Sequence, residues 1–189
     1  MASSPTILVL FAHLATHRSR INRAMVEAIR GLDRVVLHDL LETYPDFYLD
    51  VEEEQRLLKA ADLVVFHFPV YWYSSPAILK HWEDLVLTRG FAYGEGGTAL
   101  HGKDFMLAIS TGALPEAYRP QGIHGYPLEV FLRPFEQTAR LCGMNWLPPF
   151  LLQGGHSVSD EQIEAHAREY RALLERYQPS AGTATAARG

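Results

Sequence analysis

The chain has 189 residues, 48% of them hydrophobic and 21% charged, enough for one domain with a full core and helices on both faces of a sheet. Its net charge of −5 argues against a nucleic-acid partner, which needs a basic face, and its single cysteine, Cys142, excludes an internal disulfide and fits a reducing, cytoplasmic setting. No apolar run approaches the roughly 20 residues needed to cross a bilayer, and the apolar stretch Thr6 to Ala12 is too short and lacks the basic flank of a signal peptide.

Strands and helices alternate along the chain. Thr6 to Ala12 is a continuous β-rich apolar run, as expected of a strand buried on both faces. Ser19 to Arg30 carries Ile21, Ala24, Met25, Ala28 and Ile29 at helical spacing, with Gly31 to end it. Val35 to His38 predicts a second strand, Val51 to Ala61 a helix, and Leu63 to Phe68 a third, buried strand in which His67 reads as a satisfied core residue. Pro76 to Thr88 predicts a helix opened by a serine cap in Ser74-Ser75-Pro76. Phe105 to Ser110 is the fourth strand. Leu128 to Cys142 is a helix despite Pro134, with Cys142 in its apolar pattern. Asn145 to Leu152 is a fifth strand made irregular by Pro148-Pro149, and Ser159 to Tyr177 is a helix with Ser159 as cap and Gln162 three residues on. Residues 1–178 read as a single domain. Residues 179–189, rich in Ala, Gly, Thr and Ser without periodicity, read as a disordered tail.

Five βα units in succession predict an open five-stranded parallel sheet with right-handed crossovers, and such sheets bind ligands outside the carboxyl ends of their strands. Three loops fall there. In the first, residues 12–22, free amides at a helix N-terminus suit a phosphate. Thr16, Ser19 and Asn22 can donate hydrogen bonds, and His13, His17, Arg18 and Arg20 add charge. The loop has no glycine, so it is neither a Walker A loop nor a dinucleotide fingerprint; read alone, it fits a plain helix cap better than a phosphate site. The second, Pro69-Val70-Tyr71-Trp72-Tyr73, offers three adjacent aromatics to cover a flat ring or to pack at an interface. The third runs from Ser110-Thr111-Gly112-Ala113 to Tyr118 and His124. Gly112 allows close backbone approach to a ring. The phenol and imidazole, six residues apart, can hold and pass a proton beside a ligand that takes up electrons.

The nine histidines form no metal motif: His13 and His17 lie in a loop without an accompanying carboxylate, and His81, His156 and His166 read as surface or packing residues. No GxSxG elbow is present.

Motifs spread from Thr6 to Tyr177 carry a resemblance: Ala12-His13, Ser19 and Asn22; YPDF (Tyr44 to Phe47); the stretch from Glu54 to Trp82 containing FPVYWYS; RGFAYG (Arg89 to Gly94); Ser110-Thr111-Gly112; YRPQGIHGYP (Tyr118 to Pro127); LRPFE (Leu132 to Glu136); and CGMNWLPPF (Cys142 to Phe150). The chain resembles the flavodoxin-like NAD(P)H:quinone oxidoreductases of the DT-diaphorase type. It is also similar to their bacterial relatives, the ancillary subunits of glutathione-gated potassium-efflux antiporters and the general stress-type quinone reductases. The resemblance implies strand order 2-1-3-4-5 and a homodimer with the site at its interface. It implies a flavin with its phosphate near His13, Ser19, Arg20, Ile21 and Asn22. The flavin ring would lie against Pro69 to Tyr73 and Ser110 to Ala113, with Gln55 and Tyr118 contributing. Tyr118 and His124 match the family's proton-relay pair. Trp72 and His124 would border a slot shared by NAD(P)H and a quinone-type acceptor, closed by Tyr93 of the partner copy. Ala113 stands where the family often has a second glycine, and Leu14 where it often has proline. The animal enzymes' C-terminal extension, which helps hold the adenine half of FAD, has no counterpart, so FMN is expected ahead of FAD. The alternative implied by the same resemblance is a regulatory subunit at the inner face of the membrane, bound to a potassium-efflux antiporter, with secondary or no redox activity. A flavodoxin-like electron carrier fits less well, because a carrier needs an exposed flavin edge rather than a substrate slot.

Overall fold

The three most apolar runs form the centre of one parallel sheet. In the computed structural model, which describes residues 5–15 and 19–180, β1 (Ile7–Phe11), β3 (Leu63–Pro69) and β4 (Asp104–Ser110) are buried at every position. The edge strand β2 (Val35–Asp39) pairs with β1, and the order is β2-β1-β3-β4-β5 as expected. The fifth position holds two short segments. β5 (Asn145–Trp146) pairs with Asp104 and Phe105 at the start of β4, and β6 (Phe150–Leu152) pairs with Ala108 to Ser110 at its end. Pro148 and Pro149, which have no N–H to give a ladder, fall between them.

Alternation along β1 divides the core in two. Ile7 and Val9 face α1 (Arg20–Ile29) and α6 (Asp160–Arg176), which contribute Ile21, Met25, Ile29, Ile163, Tyr170 and Leu174. Leu8 and Leu10 face the other layer: α3 (Val51–Ala60), α4 (Ala77–Val86) and α5 (Leu128–Leu141). Cys142 is buried in that layer, as its apolar pattern predicts. Pro134 sits within α5, which runs through it. The capping box at Ser159 and Gln162 forms, and Ser19 Oγ accepts from the backbone N–H of Asn22 at the start of α1. No helix among the described residues is long and apolar enough to cross a membrane.

Glu54 joins four elements. Its buried carboxylate accepts from His38 Nε2 of β2 (2.7 Å), from the Tyr44 hydroxyl (2.6 Å) and from Trp82 Nε1 of α4 (2.7 Å), while Glu54 itself lies on α3. Burial pushes its pKa up, but these three hydrogen bonds outweigh it and hold the carboxyl below its ordinary range.

Two expectations are corrected. The serine cap of α4 does not form: Pro76 is itself the N-cap residue, and no side chain bonds the first turn. Ser74 is engaged instead in a tight bridge with Tyr71, exchanging both backbone hydrogen bonds (2.9 and 3.0 Å). His67 is not a satisfied core residue. It is fully buried, packs edge-on against Phe11 and Tyr170, and neither ring nitrogen has a hydrogen-bond partner. Burial first, then the charges of His13 and His166, push its pKa down to about 3, so it is neutral at physiological pH. Two short elements also lie outside the sequence reading. These are α2 (Leu40–Thr43), held by Asp39 Oδ1 accepting from two amides, and a single 3-10 turn at Pro115–Ala117.

Candidate functional site

A pocket of about 640 Å³ opens at the carboxyl ends of β1, β3 and β4, where the sheet order reverses between β1 and β3. Its first wall is the start of α1: His13 precedes it, and Ser19, Arg20, Ile21 and Asn22 form the cap and first turn. Asn22 ties this wall to the β4 end, its Nδ2 donating to Ser19 Oγ (3.1 Å) and Ser110 Oγ (3.0 Å). Asn22 Oδ1 is buried beside the pocket with no partner. The second wall is Pro69, Val70 and Tyr71, and the third is Ser110, Thr111 and Gly112. Eleven predicted residues thus converge on one cavity. Thr16, His17 and Arg18 lie outside the described residues, as does 181–189 of the expected tail.

The aromatic loop divides its three rings. The Tyr71–Ser74 bridge forces Trp72 and Tyr73 into left-handed backbone, at φ 48° and 65°, a conformation that strains non-glycine residues and clusters at functional sites. Tyr71 borders the pocket, 6.1 Å centroid to centroid from His13. Trp72 points out, 92% exposed. Tyr73 stacks on Phe131 of α5 (4.9 Å), and its hydroxyl stands 3.3 Å from His124 Nδ1.

Tyr118 and His124 meet as the sequence predicts, their rings 4.4 Å apart. A turn makes this possible. Gly122 N–H donates to Arg119 O (2.9 Å), His124 N–H donates back to Ala117 O (3.1 Å), and a Cβ on Gly122 would run into the Ala117 carbonyl. Partial burial raises the Tyr118 pKa, the Thr111 hydroxyl works against it, and the charge of Tyr73 adds to it. The net rise keeps the phenol a proton donor at neutral pH. His124 Nε2 is buried without a partner. The pair does not line the cavity itself; it adjoins it through Thr111, which does.

Other predicted residues lie elsewhere within the single chain. The Gln55 amide is taken up by Val86 O (3.0 Å) and Thr88 Oγ1 (3.2 Å) at the end of α4. Tyr93 borders a separate groove between α4 and α5. Ala113 stands just outside the cavity, its carbonyl accepting from Thr111 Oγ1 (2.8 Å) and from the Gly154 N–H (2.8 Å).

A fourth wall escaped the sequence reading. Gly155 and His156, from the loop between β6 and α6, line the pocket, so His156 is more than surface or packing. The imidazole lies over Gly112: a Cβ there would meet His156 Nε2 at 2.6 Å. The room that Gly112 makes is taken by this ring. The signal was available, because Gly154-Gly155-His156 follows the last strand and so falls at a carboxyl end like the other three loops.

The chain belongs to the flavodoxin-like fold family, which matches residues 5–174. Among known proteins it is 43% identical, over 96% of its length and 100% of the relative's, to the glutathione-regulated potassium-efflux system ancillary protein KefG of Serratia proteamaculans. Among solved structures, the general stress protein 14 of Treponema denticola in complex with FMN superposes with a TM-score of 0.87 at 38% identity, covering 92% of this chain and 100% of that one. An NADPH-quinone reductase from P. pentosaceus superposes with a TM-score of 0.82 at 29% identity, covering 92% and 99%.

Proposed function

We propose that the protein is an FMN-dependent NAD(P)H:quinone oxidoreductase. The observation that carries this reading is the juxtaposition of an open pocket at the sheet's switch point with a phenol–imidazole pair at its edge. The pocket residues fit the mononucleotide. The first turn of α1 offers backbone amides with Ser19 and Arg20 for the phosphate, and the neighbouring Asn22 Oδ1, buried and unpartnered, can accept from a hydroxyl of the same ligand. Pro69 to Tyr71 and Ser110 to Gly112 would flank the ring. Bound flavin supplies the two-electron hydride acceptor and donor. Tyr118 holds a proton at its hydroxyl, with the His124 ring packed against it and the His124 Nε2 still without a hydrogen-bond partner. Trp72, exposed and in strained backbone, walls the substrate slot, which Tyr93 of a second copy completes in a homodimer. One slot used in turn by NAD(P)H and acceptor implies ping-pong kinetics. The FMN-bound and quinone-reductase structural relatives support this reading.

The test is the visible spectrum of the purified protein, recorded again after anaerobic NADPH and then after a quinone. Flavin bands that bleach and recover are expected; a colourless protein that takes up no FMN would overturn the reading. A second reading has support of its own in the KefG relative, matched along its whole length. It is an ancillary subunit on the inner face of the membrane, bound to a potassium-efflux antiporter, and co-purification with that membrane protein tests it.

A further inference from the structure

Arg20 lines the pocket at its phosphate end, yet its guanidinium is already engaged. Nη2 donates to Asp160 Oδ1 at 2.6 Å and lies 3.4 Å from Val158 O, so the side chain crosses from the first turn of α1 to the first turn of α6. The far anchor is fixed. The capping box at Ser159 holds the start of α6. The loop before it is riveted to the third wall by Gly155 N–H donating to Thr111 O (2.9 Å) and Gly154 N–H donating to Ala113 O (2.8 Å). His156 packs over Gly112 in the same loop. The rim between the two helix starts is therefore spanned by one ion pair.

We propose that Asp160, through this pair, makes the pocket select a flavin mononucleotide over a flavin dinucleotide; the inference rests on the pocket being a flavin site. A mononucleotide ends at the α1 N-terminus in a phosphate that shares Arg20 with Asp160. A dinucleotide continues outward from that point. Its second phosphate and nucleoside leave through the rim, break the Arg20–Asp160 strut and set a further negative charge beside a carboxylate that has just lost its cation. Both effects work against the longer ligand. Because the side chains are 51% and 80% exposed, the discrimination is graded: about three- to tenfold, the scale of a screened surface pair.

The experiment titrates the full chain, freed of bound flavin, with FMN and with FAD, following quenching of flavin fluorescence. Wild type, Asp160→Asn and Asp160→Glu are compared. The expected result is that wild type prefers FMN, that Asp160→Asn narrows the ratio of the two dissociation constants about three- to tenfold, mainly by tightening FAD, and that Asp160→Glu restores it. A ratio unchanged in Asp160→Asn, or equal weakening of both flavins, would overturn the proposal, since a merely structural role of Asp160 moves both constants together. Wild type binding neither flavin would overturn the flavin site itself and this inference with it.

Discussion

Replacing Glu54 removes the acceptor shared by His38, Tyr44 and Trp82, three donors on three other elements. In Glu54→Ala each loses its partner, and Trp82 has no route to water because it is fully buried. An orphaned buried donor costs about 1–3 kcal/mol, but Tyr44 and His38 sit close enough to the surface to recover part of that. With the cavity included, a loss of about 3–5 kcal/mol is expected. For a chain of this size that lowers Tm by about 6–20 °C. Glu54→Gln behaves differently. Its amide oxygen can accept from the indole, which is only a donor, and its NH₂ can donate to the Tyr44 oxygen and a neutral His38. It loses charge assistance rather than partners, at about 1–2 kcal/mol. Acid should reproduce part of the effect. The native Glu54 pKa is depressed, so its stabilisation is full above the unfolded-state value and disappears as pH falls through the native one. Calorimetry or urea melts of the three proteins at pH 7 and pH 4 would measure this. A Glu54→Ala shift below about 1 kcal/mol, or a Glu54→Gln variant as unstable as Glu54→Ala, would refute the hub.

His67→Leu should flatten the acid limb of the stability curve. The unfolded chain protonates this histidine below about pH 6.5 and the native state only near 3, so stability falls by up to about 1.4 kcal/mol per pH unit across that window; parallel wild-type and variant curves would contradict the assignment. His124→Ala should retain flavin while slowing its reduction by NAD(P)H about 10²-fold, the scale of a positioned acid–base group; an unchanged rate on rapid mixing would remove His124 from the chemistry. Gly122→Ala should displace the turn that folds His124 onto Tyr118, lowering turnover with little change in Tm, because the affected backbone is outside the core. Normal turnover in that variant would show that the turn tolerates the shift.

Periodicity made the fold legible wherever burial is two-sided or amphipathic. The runs at Ile7, Leu63 and Asp104 and the stripes of α1 and α6 needed no tertiary information. The α4 cap does not form because the helix starts one residue later than the serine pattern implies, at Ala77 with Pro76 in the cap position, which leaves Ser75 outside it and its hydroxyl buried without a partner. The pairing of Tyr118 with His124 was legible from their spacing on one loop, whereas its dependence on Gly122 was not. His156 reaches Gly112 across a separation of 44 residues in sequence, a contact no local pattern encodes. The Glu54 hub was equally hidden, since the last of three consecutive glutamates on α3 looks like solvated surface.

The split of the fifth strand bears on how this protein avoids sticking to itself. A parallel sheet with a long, regular border strand presents a row of free amides and carbonyls that can recruit another chain. Here that border is two fragments of two and three residues, separated by a segment containing consecutive prolines that have no amide to offer. An incoming strand would find no continuous ladder on that side. Substituting Pro148 and Pro149 with Val would create an eight-residue β-prone stretch from Asn145 to Leu152, and the penalty would be read in solubility and refolding yield before it was read in the melting temperature.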